Sequence, residues 1–124
     1  INKDFEFAAG FTNYGKTSVD IFAPGVQVES LAPENEYDIA DGTSFSSPVV
    51  SGVAALLLSY YPELTAEEVK NIILKSSLVY KDKEVYKPGD YSRKRKKIEF
   101  GTLSVTGGIV NAYEAIKLAE TYIK

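Results

Sequence analysis

The sequence contains no cysteine, histidine, methionine or tryptophan. Without cysteine there can be no disulfide, no thiol nucleophile and no Cys-based metal site. Without histidine the chain lacks both the commonest general base and the commonest metal ligand. Any chemistry that needs an imidazole must therefore obtain it from outside these residues. A strong charge bias is missing too: 14 Lys and Arg stand against 17 Asp and Glu, a net charge of −3. Bulk electrostatics thus give no argument for a nucleic-acid or membrane partner. The longest mostly apolar stretch, Val49 to Leu58, is broken by Ser51 and Gly52. A bilayer-crossing helix needs roughly 20 apolar residues, so this stretch reads as a core helix. A chain that opens on Ile1 and has no Met is expected to be an internal or processed piece of a longer protein.

What is present suits one packed unit. Of the 124 residues 44% are apolar, enough for a core, and the length is that of one small domain. Residues 1–18 read as loop, punctuated by Gly10, Asn13 and Gly15. Val19 to Ala23 predicts a short strand and Pro24-Gly25 a turn. Val26 to Glu29 alternates apolar and polar, the pattern of a half-buried strand, and Tyr37 to Ala40 is its expected partner. From Ser44 to Tyr60 nearly every residue that is not small is apolar, which predicts a helix covered on all sides. Thr65-Ala66-Glu67-Glu68 is a capping box opening a second helix, with Val69, Ile72 and Ile73 as its buried stripe. A third helix follows Gly107-Gly108, with Ile109, Ala112, Tyr113, Ile116 and Ala119 on the predicted inner face.

The chemistry concentrates around Gly42-Thr43-Ser44. The first amides of a helix have no intrahelical partners and carry partial positive charge. A hydroxyl at that end stands beside a ready anion site, and acyl transfer needs a nucleophile next to donors for a developing oxyanion. Read from residue types alone, Ser44 is either such a nucleophile or a plain helix cap, and a cap is the commoner use. Other serine-hydrolase patterns fail. No Gly-x-Ser-x-Gly elbow exists, because position 46 is Ser, and no Ser-x-x-Lys is present.

The wider pattern separates the two. Gly42-Thr43-Ser44, then Phe45, two small residues, Pro48 and Gly52, resembles the serine signature of subtilisin-like serine proteases, the subtilases. Phe11 to Gly15, Val19 to Val26, Tyr60 to Thr65 and Gly107 to Ala115 are similar to further segments of that family, in the same order. The weakest stretch is Val79 to Thr106. Val49 stands where the family commonly has a non-catalytic His.

The resemblance implies a three-layer α/β fold with a mostly parallel sheet. Residues 1–124 would be the C-terminal part of the catalytic domain: an edge strand, a β-hairpin, the buried nucleophile helix and two further helices, with 79–106 a variable insertion. It implies that Ser44 is the nucleophile and lends its backbone N–H to the oxyanion hole, supported by Gly42, Thr43 and Pro48. The triad Asp and His, and the oxyanion Asn, would come from the upstream part of the same catalytic domain. Asn13, Asp20 and Asp41 do not correspond to them. The implied substrate is a peptide or protein. No cofactor is required, a structural calcium or sodium ion accompanies some relatives, and Asp20 is the one candidate ligand here, with a surface or cap role as its other reading. A secreted or cell-envelope location is implied. The alternative function is a non-catalytic pseudoprotease scaffold that binds a peptide or partner protein.

Arg93-Lys94-Arg95-Lys96-Lys97 is a run of five cations. It reads either as a polyanion site or as a solvated loop or hairpin, and the net negative charge favours the hairpin, with no nucleic-acid and no membrane partner expected. Separated from upstream strands, with the apolar helix 44–60 and a strand edge near 19–23 open, the chain is expected to self-associate, exchange elements between copies or remain only partly ordered.

Overall fold

The computed structural model describes residues 7–123. The alternating stretch after Pro24-Gly25 forms an antiparallel hairpin, β1 (Val28–Ala32) and β2 (Glu36–Ala40), with Val28 opposite Ala40 and Ala32 opposite Glu36. β1 begins later than the alternation suggests. Gln27 adopts a left-handed φ of 53°, and its amide donates to Asp41 Oδ1 at 2.6 Å instead of entering the ladder.

The predicted strand at Val19 to Ala23 shrinks to one parallel bridge, Phe22 with Ile109. The segment is still held in an extended pairing. Val105 N–H donates to Val19 O at 2.8 Å, Phe22 N–H to Gly108 O at 3.0 Å, and Val110 N–H to Phe22 O at 2.9 Å. Pro24, which has no N–H to give, ends it. The other side of the Ile109 segment pairs antiparallel, β3 (Leu78–Val79) with β6 (Gly108–Ile109). Among the described residues the parallel sheet of the fold is thus represented at one position, beside short antiparallel pairs.

Three helices follow the predicted order: α1 (Thr43–Tyr60), α2 (Ala66–Lys75) and α3 (Ala112–Ala119). α2 starts at the predicted capping box. Thr65 Oγ1 accepts from Glu68 N–H at 3.2 Å, while Glu68 Oε2 accepts from Thr65 N–H at 2.8 Å. Asn111 caps α3 by accepting from Glu114 N–H at 3.1 Å. Val53 and Leu57 of α1, Val69, Ile72 and Ile73 of α2, and Ala115 and Ala119 of α3 close one core. Fully burying a Leu or Ile contributes roughly 1.5–3 kcal/mol, so this contact holds the three helices together.

Two expectations about these helices change. α1 is apolar all round, yet Val53 and Leu57 are its only buried residues, and Leu56, Leu58 and Tyr60 are exposed. α2 and α3 cover one side, the 19–25 segment packs beside part of the helix, and Leu56, Leu58 and Tyr60 stay uncovered by the described residues. By length and composition alone α1 is long and apolar enough to cross a membrane. On α3, Tyr113 is 70% exposed and Ala115 is fully buried. The small alanines let α3 sit close to its neighbours, and a tyrosine at 113 lies off that seam.

Residues 79–106 are more than a loop. They form the hairpin β4 (Glu84–Tyr86) and β5 (Lys97–Glu99), and Val85, Phe100 and Leu103 build a second core with Ala8. Phe100 sits 4.9 Å from the Phe7 ring and 5.0 Å from Phe22. Ser104 is buried but satisfied, since its Oγ accepts from Gly107 N–H at 3.0 Å and its carbonyl accepts from Lys16 Nζ at 3.1 Å.

Candidate nucleophile site

Ser44 lies in the first turn of α1 and is exposed. The N-cap is Gly42, two residues earlier, and it makes no side-chain cap bond. Its φ of 144° lies where L side chains are strained, which explains why glycine opens this helix. Phe45 N–H donates back to Gly42 O at 3.0 Å. Among the described residues neither the Ser44 hydroxyl nor its amide has a hydrogen-bond partner, so the hydroxyl caps nothing. The amides at this end point outward with the positive end of the helix dipole behind them.

The turn before the helix is pinned from two sides. Gly42 N–H donates to Gly25 O at 2.8 Å, and Asp41 Oδ1 holds the Gln27 amide. Gly25 packs so close that a Cβ there would collide with Ser46 Oγ and lie 3.0 Å from Gly42 O. Thr43 is tied to the loop before it, with Asn13 Nδ2 donating to Thr43 Oγ1 at 3.1 Å. A cleft of about 110 Å³ opens beside this turn, lined in part by Phe11, Gly25, Thr43 and Ser46. Pro48 lies inside α1, where it cannot donate to the Ser44 carbonyl one turn back.

The structure therefore brings Gly42, Thr43, Ser44 and Pro48 together at one helix start. Asp20 lines a cleft with Asn13, Thr43 and Ser46, but its carboxylate pairs with Lys70 Nζ at 3.1 Å. Among the described residues no three His, Cys, Asp or Glu side chains gather as metal ligands. The sequence reading missed the supporting roles of Asn13, Gly25 and Asp41. An Asp before a Gly is a usual acceptor for nearby turn amides, so Asp41 carried a signal. Its partner, fourteen residues earlier, did not.

Ser44 is thus an exposed serine with a free hydroxyl at the start of a helix on a partial α/β scaffold. A profile of the subtilase family matches residues 4–107, and the chain belongs to that family. It is 48% identical over 63 residues to subtilisin DY of Bacillus licheniformis, covering 51% of this chain and 23% of that protein. It is 36% identical over 89 residues to the serine protease AprX of Bacillus subtilis (strain 168), covering 60% and 20%. Among solved structures, that of the subtilase cytotoxin SubAB assembly superposes with a TM-score of 0.69 at 28% identity, over 88% of this chain and 29% of the other. The chain thus spans less than a third of each of these three proteins.

Proposed function

We propose that the whole protein is a serine endopeptidase and that this chain contributes its nucleophile. The observation that carries the reading is the exposed Ser44 hydroxyl, without a hydrogen-bond partner among the described residues, at the opening of an apolar helix inside Gly-Thr-Ser. In this reading Ser44 Oγ attacks the scissile carbonyl. Its proton passes to a histidine from the upstream part of the catalytic domain, and an aspartate there orients that histidine. The tetrahedral oxyanion takes a hydrogen bond from the Ser44 N–H, with an upstream asparagine as second donor. Gly42 gives the backbone its turn, and the Asn13–Thr43 bond steadies the residue beside the nucleophile.

Upstream strands and helices would also cover the open faces of α1. A groove of about 500 Å³ lined by Ile21, Val50, Ala54, Leu58, Val69 and Ile73 waits for such a cover. The substrate is a peptide or protein, and the location is secreted or at the cell envelope. By itself the chain is inactive, because a serine hydroxyl without a base is a weak nucleophile at neutral pH.

An organofluorophosphate tests this. The full-length protein should be labelled stoichiometrically at Ser44, and the isolated chain should not be labelled. A full-length protein that binds peptides but resists labelling would instead be a non-catalytic scaffold.

A further inference from the structure

The charge of this chain is segregated. Residues 81–97 hold eight of the fourteen Lys and Arg and three of the seventeen Asp and Glu, a net of +5 against −8 for the remainder. The cations sit on the β4–β5 hairpin, and Arg93 to Lys97 are all exposed. Among the described residues no carboxylate lies in ion-pair range of Arg93, Lys94 or Lys96.

The connection between the two strands is an ordered turn. Asp90, the one acid within it, spends its oxygens on the backbone: Oδ1 accepts from Ser92 N–H at 3.0 Å and Oδ2 from Lys96 N–H at 3.3 Å. Those bonds, Ser92 foremost, hold its carboxyl below the ordinary value, so it stays ionised and in place. Lys87 N–H donates to Lys96 O at 3.0 Å. The Arg95 guanidinium lies 3.9 Å over the Tyr86 ring, and Lys97 Nζ is 5.7 Å from the same ring. A cation held over an aromatic face is fixed in direction.

The hairpin is also joined to the nucleophile site. Gly89 N–H donates to Gly10 O at 2.8 Å, and the Tyr91 ring packs where a Cβ on Gly10 would lie 3.1 Å from its Cε1. Gly10 is three residues from Asn13, whose amide holds Thr43. Three residues of chain span at most about 11 Å, so one short segment links the hairpin contact at Gly10 to the Asn13–Thr43 bond.

We propose that the β4–β5 hairpin is a docking site for acidic polypeptide, selecting substrates that carry Asp- or Glu-rich sequence beside the cleaved segment. The site rests on the peptidase reading for its use but not for its binding. A protein segment fits better than nucleic acid. A long polyanion leaving the hairpin would meet the rest of this chain, whose net charge is −8. The Tyr86 face, the obvious place to stack a base, is taken by Arg95. An acidic stretch of a few residues can meet the cations and leave.

The test uses the full-length protein and two fluorogenic peptides with one cleavable core, flanked by four Glu or by four Gln. At 20 mM salt kcat/KM should favour the Glu peptide on the order of ten-fold, as several weak exposed ion pairs acting together would give. At 500 mM salt, where screening is short-ranged, the preference should fall below about two-fold. The variant R93Q/K94Q/K96Q/K97Q, which keeps the stacked Arg95, should lose the preference at low salt. The single variants K94Q and K96Q should each reduce it, which covers a failure of the quadruple variant to fold. In parallel, Ser44→Ala full-length protein should bind the Glu peptide more tightly than the Gln peptide by fluorescence anisotropy. Preserved Glu-selective binding without turnover on any peptide would support the docking site and sink the peptidase reading. Equal binding and equal kcat/KM for both peptides at low salt would overturn the proposal. So would a single-stranded oligonucleotide that outcompetes the Glu peptide.

Discussion

Asn13 Nδ2 donates to Thr43 Oγ1 over 3.1 Å, so the loop before β1 is tied to the residue next to Ser44. The bond is exposed and joins positions thirty residues apart. Nothing else among the described side-chain bonds reaches Thr43.

Removing that tie should cost activity more than stability. A neutral exposed hydrogen bond contributes about 0.5–1.5 kcal/mol, and the Thr43 backbone stays in the helix without it. Asn13→Ala and Thr43→Val in the full-length protein should each lower kcat/KM about three- to ten-fold. Thermal unfolding should shift by no more than a few degrees. An unchanged kcat/KM in both variants would show that the bond positions nothing.

The start of α2 should be sensitive to acid. Thr65 N–H, and then its hydroxyl, donate to Glu68 and hold its carboxyl below the ordinary value. A group whose folded value is depressed releases its proton more readily in the folded state. Its contribution is present above the ordinary carboxylate range and is lost as pH falls through the lowered value. Urea unfolding of the full-length protein between pH 7 and pH 3 should therefore show a flatter pH dependence in Glu68→Gln than in wild type. At pH 7, Thr65→Ala should cost about 1 kcal/mol as a lost cap.

Local chemistry was legible in the sequence where it was enough to decide the structure. The capping box at Thr65 and Glu68, the hairpin after Pro24-Gly25 and the three helices all follow from residue pattern. What the pattern did not carry is tertiary. The periodicity that put Tyr113 on the inner face of α3 could not show that Ala115 and Ala119 form the seam. The apolar residues of α1 announced burial, but the described residues bury only Val53 and Leu57 and leave Leu56 and Leu58 exposed. Around Ser44, the motif named Gly42, Thr43 and Pro48, while the contacts that hold them, from Asn13, Gly25 and Asp41, join residues distant in sequence.

The isolated chain should not remain a well-behaved monomer. α1 leaves Leu56 and Leu58 exposed, and the hairpin adds Leu31 and Ile39. Large apolar side chains left exposed on both elements favour association, and the short pairing at Val19 to Ala23 leaves an open strand edge among the described residues. Light scattering should report association rising with concentration, and hydrogen exchange should show weak protection over residues 49–58. A compact monomer at high concentration with strong protection there would mean that the chain closes its own core.

The central claim is that Ser44 is the nucleophile of a peptidase. The direct measurement is steady-state cleavage of a peptide by the full-length protein and by its Ser44→Ala variant, with the fold of both confirmed by circular dichroism. The account predicts a loss of about a million-fold in kcat, the size found for the triad serine of subtilisin in the same family. Wild-type cleavage by Ser44→Ala would contradict it and leave Ser44 as no more than the second residue of a helix.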